Sequence, residues 1–113
     1  MNEKRADKLS GIVQKAVSDI IQFRVKSDKI GFVTVTAAKV TRDLSYCYVY
    51  VSILNDKNHE KFEALNKIKG FIRTEVGREV KMRKVPDIVF KLDESIENYR
   101  HIEELLENDK KSK

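Results

Sequence analysis

Residues 67–86, KIKGFIRTEVGREVKMRKVP, set seven cations (Lys67, Lys69, Arg73, Arg78, Lys81, Arg83 and Lys84) against two acids. Ammonium and guanidinium groups at that density do their chemistry by binding. Each one placed on a phosphate releases a condensed counterion, and that release drives association with nucleic acid. Gly70 and Gly77 interrupt the same stretch, although a glycine inside a helix costs about 1 kcal/mol relative to alanine. Two accounts stand side by side. A kink at Gly70 would turn one helix into a second, with Gly77 near the final turn as a C-cap. Alternatively, the absent side chains would let a nucleic-acid backbone come close while the cations neutralise its phosphates. At about 100° per residue, Ile68, Ile72, Val76 and Val80 form one stripe. Lys67, Gly70, Thr74, Gly77, Arg78 and Lys81 fall on the opposite side.

Other reactive residue types are too dispersed to make a catalytic or metal centre. His59 and His101 lie far apart, and the single cysteine, Cys47, leaves no cluster at metal-ligand spacing. There is no phosphate-binding glycine loop and no nucleophile elbow, and Asp93-Glu94 reads as helix-start chemistry. We therefore expect no enzyme, no cofactor and no metal; a small ribonuclease would need an acid-base pair that is not evident. Tyr46, Tyr48 and Tyr50 alternate onto one strand face, where they would stack on unpaired bases or pack across strands against Thr34 and Thr36. Lys4, Arg5 and Lys8 start a helix where cations oppose the macrodipole, which suits either a partner-facing end or fraying.

Charge is local. Of a net +5, residues 1–26 carry +3, residues 27–66 zero, residues 67–84 +5 and residues 85–113 −3. A polyanionic partner met by one surface fits this distribution, and the acidic end should face away from it. With 113 residues, 41% hydrophobic and 36% charged, the chain suits one domain, taken as residues 1–107 with a flexible polar tail at 108–113. The unpaired cysteine, read as a buried small apolar residue, argues for a reducing compartment, and no run is long and apolar enough for a signal or membrane span. The expectation is a cytoplasmic monomer with no membrane contact.

The elements that must position the cations follow from periodicity. Leu9, Ile12, Val13, Ala16, Val17, Ile20 and Ile21 mark a helix over residues 4–25. KSDKIG breaks it, and a strand begins near Phe32, with a bulge around Ala37-Ala38 where the alternation changes phase. YCYVYVSIL returns as a second strand, joined by a hairpin, with Cys47, Val49, Val51 and Ile53 on its inner face. Asn55 or Asp56 caps a helix whose period runs through Phe62, Leu65, Ile68, Ile72, Val76 and Val80. Pro86 precedes the strand DIVFKL. Asp93 or Ser95 then caps a last helix with Ile96, Tyr99, Ile102, Leu105 and Leu106 as its stripe. The two helices between the second and third strands make a crossover, so a small sheet covered by helices on one face is predicted.

Three segments in this order, TRDLSYCYVYVSILND (41–56), GFIR (70–73) and RKVPDIVFKLDES (83–95), resemble the bacterial ribosome-binding factor A family, and the resemblance covers nearly the whole chain. It implies an α+β, type II KH-like fold, αββααβ, with a three-stranded sheet and here a C-terminal helix. It also implies that an AxG interhelical kink, matched by Ile68-Lys69-Gly70, replaces the GxxG loop of ordinary KH domains. The chain departs from relatives in KSDKIG, where they often have a proline, and at Tyr99, where glycine is common. The function implied is a factor for late maturation of the small (30S) ribosomal subunit and 16S rRNA processing. It would bind near the 5′-terminal helix of 16S rRNA, serve cold adaptation and make functional contact with assembly GTPases.

Residues and resemblance together designate Lys67, Lys69, Gly70, Arg73, Arg78, Lys81, Arg83 and Lys84 as RNA contacts, with Arg5, Lys8 and Arg42 as outlying ones. The rival is a non-enzymatic adaptor on the ribosome that docks through the tyrosine face and the acidic C-terminal helix.

Overall fold

A computed structural model describes residues 3–54 and 57–93. Helix α1 spans Glu3–Arg24. Its three-and-four spacing of apolar residues buries Val13, Ala16, Val17, Ile20 and Ile21 in the core. Ile12, counted in that stripe by spacing, is 45% exposed and faces a cleft beside the helix instead. The KSDKIG break contains a short helix, α2 (Ser27–Ile30), which delivers Ile30 to the core. Gly31 then leaves α2 with φ 71°, a left-handed conformation that glycine adopts without a Cβ clash.

Strands β1 (Val33–Val40) and β2 (Tyr46–Ile53) pair antiparallel from Val33↔Ile53 to Val40↔Cys47. The expected bulge is present, one residue earlier than the change of phase suggested: the register shifts between Val35 and Ala37. Helices α3 (Asn58–Lys67) and α4 (Lys69–Val80) lead to β3 (Asp87–Leu92). Strand β3 runs parallel to β2, and parallel neighbours need a long crossover, which these helices supply. The sheet order is β1-β2-β3, so β3 is an edge strand.

One face of the sheet is covered. Val40, Cys47, Val49, Val51, Ile53, Ile88 and Phe90 meet the buried sides of α1, α3 and α4 in one core. Burial pushes the Cys47 thiol up to about 11, which keeps it protonated and inert. The other face carries Thr34, Lys39, Tyr46, Tyr50 and Lys91, all exposed. This is the α+β arrangement, in the order αββααβ with α2 added, that the sequence led us to expect.

Two expectations fall elsewhere. The N-cap position of α3 is Lys57, without a capping side-chain bond; Asn55 and Asp56 lie outside the described residues. So do Ser95, the apolar stripe from Ile96 to Leu106 and the tail.

Ser10 links α1 to the end of β1. Its buried hydroxyl donates to Ala6 O at 2.7 Å and accepts the Val40 N–H at 2.8 Å. Ser10→Ala strands that amide, at a cost of about 1–3 kcal/mol. The expected outcome is a lower urea midpoint with an unchanged m-value.

Candidate nucleic-acid interface

The α3–α4 break sits at Ile68, two residues before the glycine expected to make it. Ile68 leaves the helical region (φ −105°, ψ 12°) and bonds back to Leu65 O at 3.1 Å, one residue tighter than an α-helical bond. Its side chain packs on the core, which gives the isoleucine a structural use at the kink. Gly70 is the second residue of the new helix, exposed, and a Cβ there would meet nothing within 4 Å. Thr74 donates its hydroxyl to Gly70 O at 3.0 Å.

Along α4 the inner side is set by Ile72 and Val76, both fully buried, and by Glu75 at 8% exposure. Arg24, from the last turn of α1, donates to the Glu75 carboxylate and reaches Glu79 at 2.9 Å. Arg78 joins Glu75 at 3.3 Å. Both acids of the basic segment are therefore engaged by an arginine from another helix.

Gly77 has a different reason to be small. A Cβ there would approach Val85 Cγ2 to 2.9 Å, so the glycine admits the chain returning to β3. It is not the C-cap; that position is Lys81, in the left-handed region at φ 55°, ψ 44°, with its N–H bonded to Gly77 O at 3.1 Å.

All eleven designated residues are exposed. The structure sorts ten of them into two neighbouring groups, and Arg78 stands apart on Glu75. Lys69, Gly70 and Arg73 line a hollow of about 410 Å³ beside the start of β3, together with Tyr46, Asp87, Ile88 and Val89. Lys67 ends α3 just before the kink. The second group gathers where α4 stops. There the α4–β3 connection, with Lys81, Arg83 and Lys84, meets the β1–β2 turn: Lys84 Nζ donates to Asp43 O at 3.3 Å, and the Asp87 N–H to Ser45 O at 2.9 Å. Arg42 lies in that turn and lines a hollow with Ala6 and Asp7, which puts Arg5 and the start of α1 nearby. Lys8 borders a second cleft with Glu79 and Val80 at the end of α4.

Not every cation is equally available. Arg73 is a structural tether as much as a surface charge: it donates to Val85 O at 2.8 Å and pairs with Asp87 at 3.3 Å. The side chains of Lys67, Lys69, Lys81 and Arg83 have no ion pair or hydrogen bond among the described residues. In the turn, the Ser45 N–H and the Thr41 hydroxyl hold the exposed Asp43 carboxyl down to about 2, with Lys84 adding to the effect.

Two residues of this region carry no designation from the sequence, and Tyr46 gains a second role. Lys15 lines the α1–α4 cleft with Lys8, seven positions earlier on the same helix face, a spacing that could have revealed it. Tyr46 was read as part of a sheet face but also walls the hollow beside Gly70. Glu75 gave no signal, because its burial depends on Arg24, 51 positions away.

Comparison with known proteins adds four findings. The sequence model of the ribosome-binding factor A family matches residues 5–106. A ribosome-binding factor A from Natranaerobius thermophilus is 46% identical over 108 residues, covering 94% of this chain and 82% of that protein. The crystal structure of ribosome-binding factor A from Thermus thermophilus aligns with TM-score 0.69 at 23% identity, over 77% of this chain and 94% of that one. A homology model of Thermus thermophilus ribosome-binding factor A, fitted into the cryo-EM map of a 30S complex, gives TM-score 0.69 at 22% identity, over 79% and 96% of the two chains.

The two glycines separate in a stability assay. Gly70→Ala should hold or raise stability by up to about 1 kcal/mol, the helix-propensity gain. In Gly77→Ala the contact with Val85 offsets that gain, so its thermal midpoint should fall below that of Gly70→Ala.

Proposed function

The chain belongs to the ribosome-binding factor A family, and on that premise we propose that it binds the small ribosomal subunit by laying the cationic band of α4 and its flanking loops on 16S rRNA. It engages free 30S subunits near the 5′-terminal helix of 16S rRNA during late maturation. Processing of that rRNA and growth in the cold depend on this binding, and assembly GTPases act in functional contact with it. It works as a cytoplasmic monomer and without catalysis: binding one rRNA conformation in preference to another shifts the population toward it.

The observation that carries this reading is the band itself. Lys67, Lys69, Lys81 and Arg83 stand exposed without partners among the described residues, while Arg24 occupies the acids between them. The backbone at Lys81 points the same way. At the αL cap that ends α4, where glycine is the usual residue, a lysine stands at a cost of about 1–2 kcal/mol and adds its charge to the band.

The rival, an adaptor docking through the tyrosine face, draws on the exposure of Tyr46 (46%) and Tyr50 (39%). Salt separates the two. With about five cations on phosphates, log affinity for small subunits should fall against log salt with a slope near −3.5 to −4.5. Replacing Lys69, Lys81 and Arg83 by glutamine should flatten that slope by roughly 2 to 3. Co-sedimentation over a potassium chloride series measures both. A flat response, or full binding by the triple variant, favours the adaptor. Lys81→Gly should be more stable by about 1 kcal/mol yet bind more weakly.

A further inference from the structure

One face of the sheet is covered by no described element, yet it is not a polar face. Tyr46, Tyr48 and Tyr50 run along its middle strand, with Ala37 of β1 in register with Tyr50 and Val89 of β3 in register with Tyr48. Tyr46 and Tyr50 are 46% and 39% exposed. At the end of the sheet where β3 finishes, Phe32 and Leu54 are joined by a hydrogen bond from the Leu54 N–H to Phe32 O and stand 80% and 52% exposed. Apolar surface gathered on one side of a sheet calls for a further layer.

The course of the chain indicates what that layer is. Leu92 packs on the core, so Asp93, next along the strand, faces the other way. Its N–H donates to Val51 O at 2.6 Å, and its carboxylate accepts the Thr36 hydroxyl at 2.8 Å. Thr36 belongs to β1 and Asp93 follows β3, the two outer strands, so this bond passes over β2 on the open side. The chain is led onto the open face as it leaves the sheet. Ahead lie Ile96, Tyr99, Ile102, Leu105 and Leu106, whose three-and-four spacing predicts one apolar helix stripe. Glu94 and Ser95 together reach at most about 7 Å, so that stripe must begin beside the face. Residues 96–106 would make a helix about 17 Å long, which eight-residue strands of about 26 Å accommodate.

Charge agrees with this course. Lys39 and Lys91 stand exposed at opposite edges of the face with no ion pair among the described residues. Residues 94–107 set Glu94, Glu97, Glu103, Glu104 and Glu107 against Arg100.

We propose that residues 95–107 lie as an amphipathic helix on the open face of the sheet, with the apolar stripe on the tyrosines and the glutamates toward Lys39 and Lys91. The occupant of the tyrosine face is then the chain's own acidic segment. It sits on the side of the sheet away from α4, which keeps its glutamates off the cationic band. The proposal stands whether or not that band meets RNA.

The test uses the full chain, 15N-labelled, with a nitroxide on Glu104→Cys, a position off the stripe; Cys47 is buried and stays unlabelled. Amide signals of Tyr48, Tyr50 and Val89 should lose intensity, and more so than those of Ile12 and Val80 in the α1–α4 cleft. Adding Ile102→Asp, or separately Tyr50→Asp, should restore the intensity, while unchanged signals from Val13 and Val17 show that the core is intact. A mixture of 15N chain without nitroxide and unlabelled chain bearing it should show no loss. If the open-face signals keep full intensity, if the cleft signals lose more, or if the loss survives Ile102→Asp, the proposal is overturned. A loss in the mixed sample also overturns it, because the face then belongs to a second copy. No RNA is present, so failure here leaves the cationic reading to its own salt test.

Discussion

The rotation of α4 about its own axis decides what this molecule can touch. Ile72 and Val76 fix it by full burial, each contributing about 1.5–3 kcal/mol if brought entirely out of water. Glu75 narrows the choice. A carboxylate at 8% exposure is costly without partners, and Arg24 and Arg78 supply them. Arg24 sits in the last turn of α1, where a cation is also favoured by the helix dipole. A turn of α4 by one residue, about 100°, would drag Glu75 from Arg24 and drive Gly77 off Val85. The outward direction of Gly70, Thr74 and Lys81 is a consequence of what the inward side must satisfy.

The same clasp shapes the electrostatics. A basic segment that contains acids could neutralise part of itself through neighbouring helix positions. Here Arg24 engages both Glu75 and Glu79 from another helix, so Lys69, Lys81 and Arg83 keep their charge unshared among the described residues. The Arg24–Glu79 pair, open to solvent on one side, adds little stability, typically below about 1 kcal/mol, and the pairs to Glu75 chiefly offset the cost of burying its carboxylate. Their effect lies in which charges they leave over. Arg73 and Lys84 are the intermediate case: both face solvent, and both also hold the entry to β3 against its neighbours.

The elements were legible because each buries one side of a regular repeat. Alternation in YCYVYVSIL and the three-and-four spacing of α1 follow from one-sided burial, and both elements lie where those patterns put them. Irregular geometry was less legible. One account of the glycines puts the kink at Gly70, because glycine breaks helices, yet it occurs at Ile68, where the new direction of the chain still buries an aliphatic side chain. The cap was assigned to Gly77 for the same reason, and Lys81 holds it. Long-range pairs such as Arg24 with Glu75 leave no mark in a local pattern, so the split between tethered and available cations emerged only from the fold.

Gly31, at φ 71°, answers to backbone torsion, but the glycines of α4 answer to the space around the helix. Leu44 and Lys81 occupy left-handed conformations that glycine would take more easily, whereas Gly70 and Gly77 lie within α4. For Gly77 the requirement is internal, since Val85 occupies the room a Cβ would need. For Gly70 no described atom makes such a demand, and alanine would favour the helix by about 1 kcal/mol. Its absent side chain leaves main chain open toward the hollow, which no packing among the described residues requires. Lys69, Arg73 and Tyr46 line that hollow with it at the start of β3, so one side of α4 answers to packing and the other to charge and open space.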